Sequence, residues 1–231
     1  MLVLFDIDGT LLRSTGVGMG AMREALESMH PGLEFPFDGI PIAGRLDTLI
    51  WRDLLARHAI PPREEDHAEF RRRYVERFGR RVAAGAEVRA LPGAAELAAR
   101  LAAAPGVTVG LLTGNYPETG RMKIDAAGFD ASIFRFGAFA GDGPDRRSLV
   151  PVAMRRLREH EGRTVAPGEI VVIGDTPHDV DCAAAHGCRS LAVATGHHGE
   201  AELRAAGADL VAATLSGTGT LASWILSGEV T

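Results

Sequence analysis

The chain has no glutamine, one asparagine (Asn115) and one lysine (Lys123), although 25 of its 231 residues are basic. Arginine supplies the rest of the positive charge. This reads as a global compositional bias, so the surviving Lys and Asn become candidates for positions where another residue would not serve. Cysteine is also scarce, with only Cys182 and Cys188. Nothing nearby supplies the remaining ligands of a zinc site, so reduced thiols and a cytoplasmic location are the expectation. No apolar run is long enough to span a membrane, and the N-terminus passes straight into a strand-like run without a basic leader. No long basic run occurs and the net charge is -5, so a nucleic-acid partner is not expected. The densest basic cluster, Arg71 to Arg73 with Arg77, Arg80 and Arg81, has helical spacing and reads as a solvated helix face.

What is present is ordinary for a globular protein: 46% apolar and 24% charged residues. Short Val-, Ile- and Leu-rich runs predict buried strands at Leu2 to Phe5, Val107 to Leu112, Ile170 to Ile173, Leu191 to Ala194 and Leu210 to Ala213. Their alternation is poor, as in a parallel sheet covered on both faces. Helical patterns fall between them, at Ala94 to Ala103, Glu118 to Ala127, Leu149 to Glu161 and Asp179 to His186. Strand and helix in alternation predict a doubly wound α/β core. The stretch after the first strand breaks the rhythm, with helical patterns at Met19 to Met29, Asp47 to His58 and Glu64 to Ala84. We therefore expect a core of residues 1–14 and 90–231 with a helical cap, residues 15–89, inserted after strand 1. The glycines from Gly16 to Gly20 read as a flexible linker between the two.

In open α/β sheets ligands bind at the carboxyl ends of the strands. Strand 1 ends in Asp6-Ile7-Asp8-Gly9-Thr10, the second core strand in Thr113-Gly114-Asn115, and the third in Gly174-Asp175-Thr176-Pro177-His178-Asp179. Residues i and i+2 of an extended chain face the same way, so Asp6 and Asp8 can share one cleft. Asp175 would bring a third carboxylate. Three carboxylates raise one another's pKa values unless a cation intervenes. An all-oxygen donor set favours magnesium over zinc. Asp179, a helical turn further on, can support that cation or cap the helix it begins.

These three motifs resemble those of the haloacid dehalogenase-like hydrolase superfamily, in its phosphatase branch. The helical insert matches that family's first type of cap. The resemblance implies that Asp6 is a nucleophile forming an aspartyl phosphate and Asp8 the acid and base. It implies Mg2+ held by Asp6, the Asp8 backbone carbonyl and Asp175, and a phosphoryl group bound by Thr113 and the backbone of Gly114 and Asn115. Thr10 is taken with the substrate-binding set, and its presence favours a phosphatase over a sugar phosphomutase of the same fold. The Lys-Pro signature that the family usually carries between its second and third motifs is missing; Arg146 or Lys123 can take that lysine's place, with Arg147 a third possibility. In the cap, Arg45 of Gly44-Arg45-Leu46-Asp47 can meet a second anionic group of the substrate, or this turn can simply open a helix with Asp47 offsetting its dipole. The expected partner is a small phosphorylated metabolite, with phosphoglycolate the leading example. A phosphomutase, or a regulatory protein that binds such a metabolite without turnover, is the alternative.

Overall fold

The computed structural model describes residues 1–228. In chain order the strands are β1 (Leu2–Phe5), β2 (Leu12–Ser14), β3 (Val88–Ala90), β4 (Thr108–Leu112), β5 (Gly137–Ala138), β6 (Ile170–Gly174), β7 (Arg189–Val193) and β8 (Leu210–Ala212). The helices are α1 (Val17–Met29), α2 (Asp47–Ala56), α3 (Glu64–Ala83), α4 (Ala94–Ala102), α5 (Pro117–Ala126), α6 (Leu149–Glu161), α7 (Pro177–Ala184), α8 (Glu200–Ala205) and α9 (Thr218–Ser227). Six strands form a parallel sheet in the order β5-β4-β1-β6-β7-β8, so β1 lies between β4 and β6. This is the doubly wound α/β class read from the sequence.

Every residue of β1, β4 and β6 is buried, which explains their unbroken apolar runs. Alternate residues still divide between faces. Leu2 and Leu4 pack with α6 and α7 side chains such as Leu149, Leu157 and Cys182. Val3 and Phe5 pack with Leu97 and Leu101 of α4 and with Trp224 and Ile225 of α9. Among the described residues, no helix is long and apolar enough to cross a membrane.

The chain leaves the sheet through β2 and returns through β3, which pair antiparallel as a separate two-stranded ribbon. Helices α1, α2 and α3 lie between these strands. Phe70, Tyr74 and Phe78 repeat every four residues along α3 and are fully or almost fully buried, the stripe by which an amphipathic helix packs. Two expectations change here. The glycine-rich segment is not a loose linker, because Gly18 and Gly20 lie inside α1, where added side chains would press on Tyr74 and Arg81 of α3. Nor is the arginine cluster one solvated face. Arg72 and Arg80 are exposed, but Arg73 donates to the Ser28 carbonyl of α1, Arg81 pairs with Glu24, and Arg71 takes Glu118 of α5 bidentately.

Candidate active site

The site lies at the carboxyl edge of the sheet, where β1, β4 and β6 end side by side. Asp6 continues β1, its N–H donating to the Ile173 carbonyl at 2.9 Å. The chain then turns sharply, with the Ile7 carbonyl accepting the N–H groups of Thr10, Leu11 and Leu12. Ile7 points into the core, and Asp6 and Asp8 on either side of it line the cleft. Gly9 makes the turn possible. Its φ is +78°, and a Cβ there would overlap the Asp175 carboxylate.

Asp6, Asp175 and Asp179 form a buried cluster in which one carboxylate oxygen from each lies within 4.8 Å of the others. Arg146 reaches this cluster from the loop before α6. Its Nη2 lies 3.1 Å from Asp6 Oδ1 and 2.5 Å from Asp179 Oδ1. Nη1 donates to the Gly44 carbonyl at 3.2 Å. Burial works against the guanidinium charge, but Asp179 and Asp6 outweigh it and hold Arg146 protonated. Burial, with the charges of neighbouring carboxylates, raises both Asp6 and Asp175 above the usual carboxylate range, Arg146 pulling the other way. One guanidinium against three buried carboxylates leaves an excess of negative charge. That excess and the oxygen-only donor set fit a hard divalent cation. Asp179 also closes a capping box on α7, accepting the N–H and hydroxyl of Thr176 at 3.1 and 2.7 Å. The helix N-cap is therefore Thr176, and Asp179 sits three residues inside.

Asp8 belongs to a different network. Lys123 Nζ lies 2.6 Å from Asp8 Oδ2 and donates to Asn115 Oδ1 at 2.6 Å. Asn115 Nδ2 donates to Asp8 Oδ2 and to Thr113 Oγ1, both at 2.8 Å. Ser14 Oγ donates to Asp8 Oδ1 at 2.9 Å. Burial favours the neutral acid, but the Lys123 ammonium and these hydrogen bonds prevail and lower the Asp8 pKa. The chain's only lysine and only asparagine thus meet on one carboxylate. Lys123 is 5% exposed, so it is no surface lysine. Its helix, α5, begins at the Thr113 turn, and the side chain leans back toward the strand end. The two cations separate: Arg146 is on Asp6, Lys123 on Asp8. Arg147 pairs instead with Asp181 on the surface.

Thr113, Gly114 and Asn115 line the cleft as expected. Thr10 does not. It is fully buried, and its hydroxyl donates to Asp175 Oδ1 at 3.2 Å, so it orients that carboxylate instead of facing a substrate. Arg45 lines the cleft, but its Nη2 is held by Asp53 of α2 at 2.5 Å.

The segment Gly44–Asp47 closes over the Thr113 turn. The Asp47 N–H donates to the Gly114 carbonyl at 2.7 Å, and Asp47 Oδ2 accepts the Tyr116 N–H at 3.1 Å. The backbones approach so closely that a Cβ on Gly114 would overlap the Arg45 carbonyl. Sequence reasoning assigned Asp47 only to a helix dipole. Its burial at this seam raises its pKa to about 7, against the opposing charge of Lys123 and the Tyr116 N–H. Arg13, Ser14, Tyr74 and His197 also line the cleft and were not singled out for it. Ser14 had a findable signal, since it lies near Asp8 in sequence; Tyr74 reaches the cleft only through the packing of α3.

A parallel α/β sheet with acidic residues converging at the ends of adjacent strands defines the class: an enzyme-like fold with a carboxylate cluster that could hold a cation. The chain belongs to the haloacid dehalogenase-like hydrolase family, whose family model matches residues 1–187. Solved structures share the fold. A predicted phosphoglycolate phosphatase from Haemophilus somnus 129pt is 19% identical, with a TM-score of 0.70 over 95% of this chain and 96% of its own. CbbY from Rhodobacter sphaeroides, in complex with phosphate, is 21% identical, with a TM-score of 0.73 over 94% and 96%. A hydrolase from Pseudomonas syringae is 22% identical, with a TM-score of 0.65 over 93% and 94%. No curated protein matches the chain at a significant level.

Proposed function

We propose that this protein is a magnesium-dependent phosphatase that hydrolyses a small phosphomonoester through an aspartyl phosphate on Asp6. The observation that carries the reading is the split of the two strand-1 carboxylates between two cations. Asp6 sits against Arg146 among the acidic cluster, and Asp8 sits against Lys123 two residues away. A nucleophile and an acid-base group need such different surroundings on one cleft. The phosphate bound to CbbY, a protein of the same fold, is in keeping with it.

Asp6, Asp175 and the Asp8 carbonyl would hold Mg2+, with Asp179 in support. When bound, the ion neutralises charge on the phosphoryl oxygens and so lets an anionic carboxylate approach phosphorus. The Asp6 carboxylate attacks phosphorus, the phosphorus–oxygen bond to the leaving alcohol breaks, and Asp8 protonates the departing oxygen. Asp8 then takes a proton from water as it attacks the aspartyl phosphate, releasing phosphate and restoring Asp6. Lys123 and Asn115 favour the ionised form of Asp8 that this second half needs. An incoming phosphate beside Lys123 competes for the ammonium and lets Asp8 carry its proton in the first half. Arg146 orients Asp6 and opposes the rise in its pKa that burial causes. Residues 15–89 act as the cap, docking on the core of residues 1–14 and 90–231 through Gly44–Asp47 and keeping bulk solvent, though not the hydrolytic water, from the reacting groups.

Phosphate release from a general aromatic phosphate ester, measured with Mg2+, tests the reading. Turnover that disappears in Asp6→Asn is expected. Equal rates for wild type and Asp6→Asn would overturn it.

A further inference from the structure

The cleft encloses about 600 Å3 between the sheet edge and the three helices over it. Its two ends differ in chemistry. The sheet end carries Asp6, Asp8, Asn115, Arg146 and Asp175. The helical end is walled by Met19, Met22, Phe37, Ile42, Ile50 and Tyr74. The charges that the helical segment brings to the cleft are Arg45 and Asp47, and Arg45 keeps a buried Nε without a hydrogen-bond partner. Arg45 is paired with Asp53, and Asp47 accepts the Tyr116 N–H. On the sheet side Lys123 is paired with Asp8, and Arg146 with Asp6 and Asp179. Arg13 of β2 also lines the cleft, and its Nη2 donates to the Thr195 carbonyl at 2.6 Å.

A second anionic group on the substrate would therefore have to share Arg45, Lys123 or Arg146 with the carboxylates they already meet, or reach Arg13 on β2. A polyol would find a wall of thioether, aromatic and aliphatic groups, leaving its hydroxyls unmatched. A ligand as small as phosphoglycolate would leave most of the volume to water. The volume falls in the range of sites that enclose a whole organic ligand, and two methionines give the wall an adaptable surface. We propose that the preferred substrate is a phosphomonoester of an alcohol with an apolar body, an alkyl or aryl group seated against Met22, Phe37, Ile42 and Ile50. The inference rests on the reading of Asp6 as the phosphoryl site and deepens it by naming the substrate class.

The test uses the full chain with Mg2+ and a series of n-alkyl monophosphates from methyl to hexyl, whose leaving groups differ little in intrinsic reactivity. Phosphoglycolate, a hexose monophosphate and a sugar bisphosphate are run beside them. The expected kcat/KM rises by roughly threefold per buried methylene, and Met22→Ser and Ile50→Ser flatten that rise. Binding of the corresponding n-alkylphosphonates, which cannot be hydrolysed, is followed by calorimetry. Affinity should increase along the series in parallel. A flat profile in both measurements, or a preference for phosphoglycolate, the hexose phosphate or the bisphosphate, would overturn the proposal. Hydrolysis without any chain-length gain refutes the substrate class but leaves the phosphatase reading standing. Phosphonate affinity that grows with length while no ester is hydrolysed supports the apolar site and refutes the phosphatase reading.

Discussion

Replacing Asp47 by Asn should change how the protein's stability depends on pH. Asp47 is buried where the helical segment meets the Thr113 turn, and its pKa is raised from 3.8 to about 7. The unfolded chain releases this proton near pH 4, whereas the folded chain keeps it to about pH 7. Folding therefore takes up a proton across that window, and stability is highest below pH 4 and falls as pH rises to 7. That difference amounts to about 4 kcal/mol in total, more than half of which is lost between pH 5 and pH 8. Asn resembles the protonated form, keeps an oxygen to accept the Tyr116 N–H, and has no proton to lose. Melting temperatures of Asp47→Asn and wild type should therefore diverge in favour of the variant from pH 5 to pH 8, by about 5–10 °C for a chain of this size. Other buried carboxylates titrate as well, but they are common to both proteins, so the difference isolates Asp47. A gap between the two that stays constant over this range would refute the argument that Asp47 is buried and neutral at the seam.

Other outcomes follow from the pairing of charges. Arg146→Met should lower kcat about 10²–10³-fold in the phosphate-release assay, with Arg146→Lys recovering part of the loss; equal activity of the Met variant and wild type would dismiss Arg146 as the partner of Asp6. Lys123→Met should misplace Asp8 and so cost about 10²-fold on alkyl phosphates, whose leaving oxygen needs a proton, but far less on p-nitrophenyl phosphate, whose leaving group does not. Equal losses on both esters would separate Lys123 from the acid-base step. Mg2+ should raise the melting temperature of wild type and leave Asp175→Asn nearly unmoved, while a chelator abolishes turnover; an undiminished Mg2+ shift in Asp175→Asn would refute the assignment of that carboxylate.

The sheet and most helices were legible because their signal is local. β1 and α6 match their expected bounds, and β4, β6 and β7 begin or end within two residues of them. A strand buried on both faces must be apolar throughout, and such runs stand out. The ribbon of β2 and β3 did not, since Leu12-Arg13-Ser14 and Val88-Arg89-Ala90 are short, partly exposed and stand outside the main sheet. β5, only Gly137–Ala138, has no pattern of its own and exists through its neighbour β4. At the site, the spacing of Asp6 and Asp8 anticipated a shared cleft, since period-two geometry is local. Thr10, two residues further on, broke that expectation because the chain folds back onto the Ile7 carbonyl and turns its hydroxyl to Asp175. The choice between Arg146 and Lys123 could not be made from one dimension. Each lies far in sequence from the carboxylate it meets, and only the packing of α5 and the α6 loop decides between them.

That division also explains why one motif lysine is not enough here. If Asp6, Asp175 and Asp179 are all ionised, Arg146 leaves the cluster with a formal charge of minus two, which one divalent cation neutralises. Asp8 adds nothing to this sum, because Lys123 balances it separately. Had Lys123 joined Arg146 at Asp6, the cluster would hold two resident cations and a weaker demand for metal, and Asp8 would stand beside the phosphoryl site without a counter-charge. Had Arg146 joined Lys123 at Asp8, three carboxylates would remain with no resident cation, and Asp6, the proposed nucleophile, would hold its proton more tightly still. The observed arrangement leaves a charge that one divalent ion would balance, with Arg146 drawing the raised Asp6 pKa back down. It leaves Asp8 paired with a lysine, a flexible cation that an incoming phosphate can draw away more readily than a forked guanidinium held by two carboxylates.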